Sequence, residues 1–310
     1  MLGATLPRPR SAGAAPRRTR CALWLGLAMI LCASGCGGSE GGAGEGPGRR
    51  RQSLALTPQQ ELELGRVAFK EVLSKPDEYG PALPADDPRV KRVRGVAQRI
   101  IKASEIEPLQ REINLRVRGY NFEWQVAVLK NKQVNAFCLP GGKMAVYTGI
   151  LPVAENDDQL ATVMAHEIAH ALAHHSSERL AREQKYHRAI EVIGGAMPGM
   201  SRQGRRAFMG VLAAGAGVRS KAYDREQEAE ADHIGLFLMT FAGYDPNEAV
   251  RFWERMAQEM AGRGRPPEFL SDHPSDEHRI QALKNWVPKV KAAKKAFDEG
   301  RIAPAPGRSK

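Results

Sequence analysis

Apolar residues recur at helical spacing along most of this 310-residue chain. The first such segment begins after Thr57, where Pro58 suits the first helical position and Gln60 can complete a capping box with the threonine. A helix is therefore predicted from about Pro58 to Ser74. The same spacing predicts later helices over residues 90–101, 160–175, 225–241, 247–260 and 275–294. The pattern indicates a mainly helical protein.

Between residues 113 and 149 the apolar period changes from helical spacing towards alternation. Segments that start at Ile113, Glu123 and Val134 are short, rich in Val, Ile and aromatic residues, and interrupted by Gly or Asn, which predicts three or four strands. The last two strands are predicted to be joined across Leu139 to Gly142. The predicted fold class is α+β, with a small antiparallel sheet beside the helices.

The N-terminal segment carries a targeting signal. The first 35 residues contain five arginines and no acidic residue, and their apolar stretch from Cys21 to Ser34 is too short to span a bilayer comfortably. Small residues then lead to Cys36, in an order that resembles the lipobox of bacterial lipoproteins. Residues 1–35 are predicted to be a signal peptide, Cys36 to be lipidated, and 36–56 to include a flexible Gly-rich tether. An uncleaved anchor and an organelle transit peptide are the alternatives.

Composition narrows the class of protein. The chain is 42% hydrophobic, which is typical of globular proteins, and its 4 cysteines do not provide a disulfide framework. The formal net charge is +11, and removing the five N-terminal arginines leaves 11 − 5 = +6. No zinc-finger spacing or ribonucleoprotein motif accompanies this modest excess, so nucleic acid is not expected as a partner.

The strongest chemical signal is His166-Glu167-Ile168-Ala169-His170, an HExxH arrangement in an apolar helical segment. Histidines four positions apart lie on one helical face, so both imidazoles can bind the same zinc ion. Glu167 can then act as the general base that takes a proton from water. Buried His and Glu side chains without partners are costly, which favours one bound Zn²⁺ over a solvated helix face.

A catalytic zinc ion of this type needs a third protein ligand. Ser176 stands where a metzincin would have its third histidine, so that class is excluded. Glu228 and Asp232 lie four positions apart on a later predicted helix, so one can bind the metal while the other supports a ligand histidine. Glu226 and Glu230 are competing candidates, although both are expected to be solvated.

Three segments together resemble the zinc metallopeptidase family that includes the CAAX prenyl endopeptidases, the mitochondrial Oma-type peptidases and the bacterial BepA-like enzymes. They are AHEIAHALAHHSSER at 165–179, EAEAD at 228–232 and NAFCLPGGKMAVYTGIL at 135–151. The resemblance extends from Pro58 to Trp286 and implies a gluzincin-like fold over residues 57–300. It also implies that the zinc ligands are His166, His170 and Glu228. Glu167 is then the general base, and Asp232 is a carboxylate that supports a ligand histidine.

The same resemblance assigns further roles. His273 is expected near the metal, to stabilise the oxyanion or to coordinate zinc in a latent state, with Arg279 supporting the site. Asn135, Lys143 and Ala145 are expected to receive the substrate as an added strand.

Two histidines and two segments carry further predictions. His174 and His175 are interpreted as helix-end or supporting residues, with solvent exposure favoured. Residues 193–219 are interpreted as a flap, a membrane-dipping segment or a buried helix pair, and residues 301–310 as a disordered tail.

The predicted function is zinc-dependent endopeptidase activity against misfolded or unfolded envelope proteins. The predicted location is the periplasmic side of a bacterial outer membrane, favoured by Gly38 rather than aspartate two positions after Cys36. Attachment by a signal anchor and secretion to the periplasm are alternatives. A non-proteolytic chaperone or assembly factor on the same fold is the second hypothesis. A CAAX-type peptidase is disfavoured because it needs several membrane spans.

Overall fold

A computed structural model describes residues 52–115, 117, 119–184, 225–261, 269, 273 and 277–301. The predicted signal peptide, the lipidation site Cys36, the segment 193–219 and the tail beyond residue 301 lie outside these ranges and stay predictions. Within the described ranges, no helix has a stretch that is both long enough and apolar enough to span a bilayer.

The helices follow the apolar periodicity closely. Thr57 caps the first helix as predicted: its hydroxyl accepts a hydrogen bond from the Gln60 N–H, and its own N–H donates to the Gln60 side chain. The described helices are α1 (Pro58–Ser74), α2 (Pro76–Tyr79), α3 (Pro88–Ser104), α4 (Glu107–Glu112), α5 (Asp157–Leu172), α6 (175–184), α7 (225–241), α8 (Asn247–Ala261) and α9 (Glu277–Asp298). The mainly helical fold class is thereby confirmed.

The predicted helix over 160–175 is interrupted near its end. Helix α5 stops at Leu172, and His174 adopts a left-handed backbone conformation with φ of 56°. Left-handed residues terminate helices, and His175 is the first residue of the next helix, α6. Periodicity alone did not indicate this break.

The sheet is mixed and has three strands, β1 (Gln125–Leu129), β2 (Ala136–Leu139) and β3 (Lys143–Tyr147), in the order β1-β3-β2. The short turn at 140–142 makes β2 and β3 antiparallel, as predicted. Strand β3 therefore returns in the direction of β1 and pairs with it in parallel, which the antiparallel prediction did not include. The described residues of the segment from Ile113 to Gly119 form no strand.

Strand β3 lies between the other two strands, which corrects the predicted substrate edge. Its residues are all buried, and Lys143 donates hydrogen bonds to the carbonyl and the carboxylate of Glu123. Ala145 pairs with residues on both sides, and the Asn135 side chain accepts a hydrogen bond from the N–H of Ala136. A strand with two partners cannot add a third, so the edge role predicted for Lys143 and Ala145 is wrong.

Helix α5 is central to the core and carries the HExxH motif. Its N-cap is Asn156, whose side chain accepts a hydrogen bond from the N–H of Gln159, and acidic residues occupy its first turn. All residues of α5 from Gln159 to Leu172 are buried. Helix α7 approaches closely at Gly235, where an added Cβ would lie 3.1 Å from the backbone of Ala165 and His166. The close approach places the acidic residues of α7 beside the motif.

Candidate metal centre

Four side chains converge at one buried point. Helix α5 supplies His166 and His170, helix α7 supplies Glu228, and the segment before α9 supplies His273. One ligand atom from each residue lies within 4.8 Å of the others. The structure therefore brings together the three predicted zinc ligands and the histidine that was expected near the metal.

The donor geometry fits zinc. The Nε2 atoms of His166 and His170 are 3.0 Å apart, and carboxylate oxygens of Glu228 lie 3.1 and 3.4 Å from them. Ligands at about 2.0–2.1 Å from a tetrahedral ion are roughly 3.3 Å from one another, close to these separations. Two imidazoles and one carboxylate are also a donor set that zinc takes in catalytic sites, with a further position left for water or substrate.

Asp232 and Arg279 support the His166 side of the site, as expected. Asp232 Oδ1 lies 3.0 Å from His166 Nδ1, and the Arg279 guanidinium donates to both Asp232 oxygens at 2.7 and 2.8 Å. Arg279 also contacts Glu228 at 3.2 Å and lies over the ring of Trp253. Burial raises the pKa of the Asp232 carboxyl, but the neighbouring guanidinium outweighs it and the net pKa is lowered. Asp232 is therefore an ionised acceptor.

The predicted general base, Glu167, lies beside the ligand cluster. Its side chain is buried, and its Oε1 lies 3.2 Å from Nε2 of His273. Burial raises the pKa of Glu167, while the nearby His273 and His166 pull it in the opposite direction. A carboxylate with a raised pKa is better matched to taking and returning a proton near neutral pH.

His273 lies between the base and the ligand cluster. Its Nε2 is 3.2 Å from Glu167, and its Nδ1 is 3.0 Å from Glu228 and 3.2 Å from His166. Its side chain is 12% exposed, more than those of the other three cluster residues. This position is compatible with both predicted roles, which are oxyanion stabilisation and coordination.

His175 and Glu230 are buried, although the sequence favoured solvent exposure for both. His175 is 1% exposed and Glu230 is 4% exposed. His175 Nδ1 lies 2.7 Å from His170 Nδ1, and its Nε2 lies 3.2 Å from Glu230. His174 is also buried and contacts Glu61 at 2.9 Å. The adjacent histidines after HExxH are the one signal in the sequence that could have indicated these contacts.

Comparison with known proteins adds independent findings. Residues 99–287 match the profile of Peptidase family M48. Mitochondrial metalloendopeptidase OMA1 of Schizosaccharomyces pombe is 35% identical, covering 80% of this chain and 67% of that protein. The protein of the same name from Saccharomyces cerevisiae is 34% identical, covering 74% and 64%. Beta-barrel assembly-enhancing protease of Escherichia coli is 27% identical, covering 66% of this chain and 44% of that protein.

These relatives contradict the predicted location at a bacterial outer membrane. The fungal proteins at 35% and 34% identity are named as mitochondrial, as are matched proteins of Arabidopsis thaliana and Bos taurus. The outer-membrane prediction is therefore wrong. The N-terminal segment could not distinguish the two locations, because an arginine-rich segment without acidic residues occurs in secretory signals and in organelle transit peptides.

Proposed function

This chain belongs to peptidase family M48 and is a zinc metalloendopeptidase, and on that premise we propose that its substrates are unfolded polypeptide chains. The observation that carries the proposal is the buried cluster of His166, His170, Glu228 and His273 beside Glu167 and the outer strand β2. The chain spans about two thirds of the fungal relatives and less than half of the Escherichia coli relative. Substrate choice is accordingly a proposal.

The residues of the site divide the chemistry among them. His166, His170 and Glu228 would hold the zinc ion, which when bound supplies Lewis-acid polarisation of the scissile carbonyl and acidifies water. Glu167 takes the proton from the attacking water on its carboxylate and returns it to the leaving amine. His273 donates a hydrogen bond to the oxygen that gains negative charge.

Strand β2 is the proposed binding edge for substrate. It pairs only with β3 among the described strands, and it contacts α5, the helix that carries the base Glu167. An extended peptide can add to such an edge through main-chain hydrogen bonds, which depend little on sequence. Folded proteins do not offer a free extended segment, so this recognition favours unfolded chains.

The relatives support a role in protein turnover. The Escherichia coli relative is named as a protease that enhances β-barrel assembly, and the fungal relatives are named as metalloendopeptidases. We therefore extend the proposal to quality control of proteins that fail to fold or assemble. The intact Glu167 beside the cluster argues against the non-proteolytic chaperone, because a protein that only binds has no use for a base there.

The test is degradation of casein and of one disulfide-bonded protein in its native and reduced, alkylated forms. The zinc-loaded protein should cleave casein and the reduced form, and Glu167→Gln should abolish both activities. Glu226→Gln makes the same change at an exposed position of α7 and should retain activity. Equal cleavage by Glu167→Gln would exclude the assigned base, and equal cleavage of the native form would exclude selection of unfolded chains. Zinc binding without any cleavage would favour the chaperone.

A further inference from the structure

The geometry points to His175 and Glu230 as positioning residues for the metal ligand His170. In this arrangement His170 donates a hydrogen bond to His175, and His175 donates one to Glu230. The inference rests on the zinc site of the proposed function but not on its substrate. Neither residue touches the cluster point itself, so both act through His170.

The two ring nitrogens of His170 define the direction of the chain of hydrogen bonds. Its Nε2 lies 3.0 Å from His166 Nε2 and 3.4 Å from Glu228, on the side where a metal would bind. A coordinating Nε2 carries no proton, so the ring proton is on Nδ1. That Nδ1 is 2.7 Å from His175 Nδ1, which must then be the acceptor.

The tautomer of His175 follows from that bond. With Nδ1 accepting, the proton of a neutral His175 is on Nε2, which lies 3.2 Å from Glu230 Oε2. The carboxylate thus accepts at the end of the chain. Each group has one role in this order, and reversing any bond would place two acceptors or two donors face to face.

Local structure holds His175 in place. The left-handed His174 separates α5 from α6, of which His175 is the first residue. Gln227 on α7 donates from its side chain to the His175 carbonyl at 3.4 Å and to Glu178 at 2.8 Å. Helix α6 is therefore linked to the same helix that carries Glu228 and Glu230.

Burial makes the hydrogen bonds of His175 and Glu230 energetically important. His175 and Glu230 are almost completely shielded from solvent, where a carboxylate without hydrogen bonds is strongly disfavoured. Hydrogen bonds to the outer nitrogen of a ligand histidine fix its tautomer and orientation and increase its basicity. Their loss commonly lowers metal affinity by about 10–100-fold.

The experiment measures zinc affinity by competition with a chromophoric chelator, in the Glu167→Gln background so that proteolysis plays no part. His175→Phe keeps a buried ring but removes the acceptor, and it should weaken zinc binding about 10–100-fold. His175→Asn keeps an acceptor oxygen near the Nδ1 position and should recover most of the affinity. Glu230→Gln should cause a smaller loss. His278→Phe and Glu226→Gln, at exposed positions, are the matched controls and should bind zinc normally.

Two further readouts separate positioning from packing. The absorption spectrum of the Co²⁺-substituted protein should change in His175→Phe and return towards the parent spectrum in His175→Asn. The Tm of the metal-free protein should change little in His175→Asn. The inference would be overturned if His175→Phe and His175→Asn lost the same zinc affinity and showed the same fall in the Tm of the metal-free protein. An affinity of His175→Phe within threefold of the parent would also overturn it. If His175→Phe does not fold, unchanged affinity in Glu230→Gln overturns it instead.

Discussion

The two ligand histidines of α5 are one helical turn apart and both buried, yet their surroundings differ. His166 contacts the Asp232 carboxylate directly, and that carboxylate is fixed by Arg279. His170 reaches its carboxylate through His175. Burial lowers the pKa of both rings, but hydrogen bonds to Asp232 and Glu228 raise the pKa of His166 to about 9, whereas the pKa of His170 stays well below its usual value.

The comparison shows two ways in which a carboxylate can orient a ligand histidine. It can contact the imidazole ring directly, or it can act through a second imidazole that keeps the negative charge away from the ligand. The direct contact combines orientation with strong electrostatic stabilisation of the His166 ring. The relayed contact orients His170 through a neutral imidazole and keeps the charge of Glu230 farther away. We therefore expect variants on the His166 side to affect zinc binding more than variants on the His170 side.

The largest expected effect is that of Asp232→Asn. The amide cannot accept from both His166 and Arg279 as the carboxylate does, and it removes one of the two carboxylates that the buried guanidinium contacts. Zinc affinity should fall about 100-fold, the upper end for such contacts. Chelator competition measures this, with Asp298→Asn on the exposed end of α9 as control. A loss smaller than that of His175→Phe would reverse the proposed order of the two sides.

Arg279→Lys should give the next largest effect. A lysine retains the charge but cannot donate in parallel to both oxygens of Asp232 while contacting Glu228. We expect about a tenfold loss of zinc affinity. Arg251→Lys alters the ion pair of the exposed Arg251 with Glu248, on α8, and should have no effect on binding. Normal affinity in Arg279→Lys would show that the guanidinium geometry is not needed.

Gly235→Ala tests the close approach of α7 to α5 on the His166 side. The added methyl would press on the backbone of Ala165 and His166, so α7 must shift by a few tenths of an ångström. The free energy of unfolding of the metal-free protein should fall by about 1 kcal/mol, as measured with urea. Gly95→Ala, with open space around its Cβ, should not destabilise. Equal stability of the two variants would argue against tight packing at Gly235.

The smallest expected effect concerns His233, an α7 histidine outside the cluster. Burial lowers its pKa to about 4, and its ring contacts Phe237 and Trp286. The unfolded chain, with a histidine pKa near 6.5, binds the proton more readily, so stability falls as the pH drops. This histidine should contribute a loss of about 0.7 kcal/mol between pH 7 and pH 6.

Urea titrations of the metal-free protein at both pH values check this contribution. His233→Phe should reduce the pH dependence by that amount, and His278→Phe on the protein surface should not. A His233→Phe variant with the parent slope would show that His233 is not a buried neutral histidine in solution.

Local patterns predicted those parts of the site that depend on helical period alone. The spacing of His166 and His170, and of Glu228 and Asp232, predicted their shared faces, and α7 ends at Phe241 as predicted. The pairing of strands could not be predicted in this way, because no local pattern indicates that β3 lies between β1 and β2.

The contacts of His175 were missed for a different reason. A single left-handed residue, His174, interrupts the helix with a backbone torsion that residues other than glycine rarely adopt. The positions of His273 and Arg279 were indicated only by family resemblance, since neither residue belongs to a periodic pattern that points to the metal.

The metal centre joins segments that are far apart along the chain. His166 and His273 contact each other across 107 sequence positions. A metal held by both would act as a cross-link that restricts the unfolded chain, and a disulfide closing a loop of about 100 residues contributes roughly 4.7 kcal/mol in the chain-entropy model. Zinc supply would then govern how long this protease survives in the cell as well as whether it can cut.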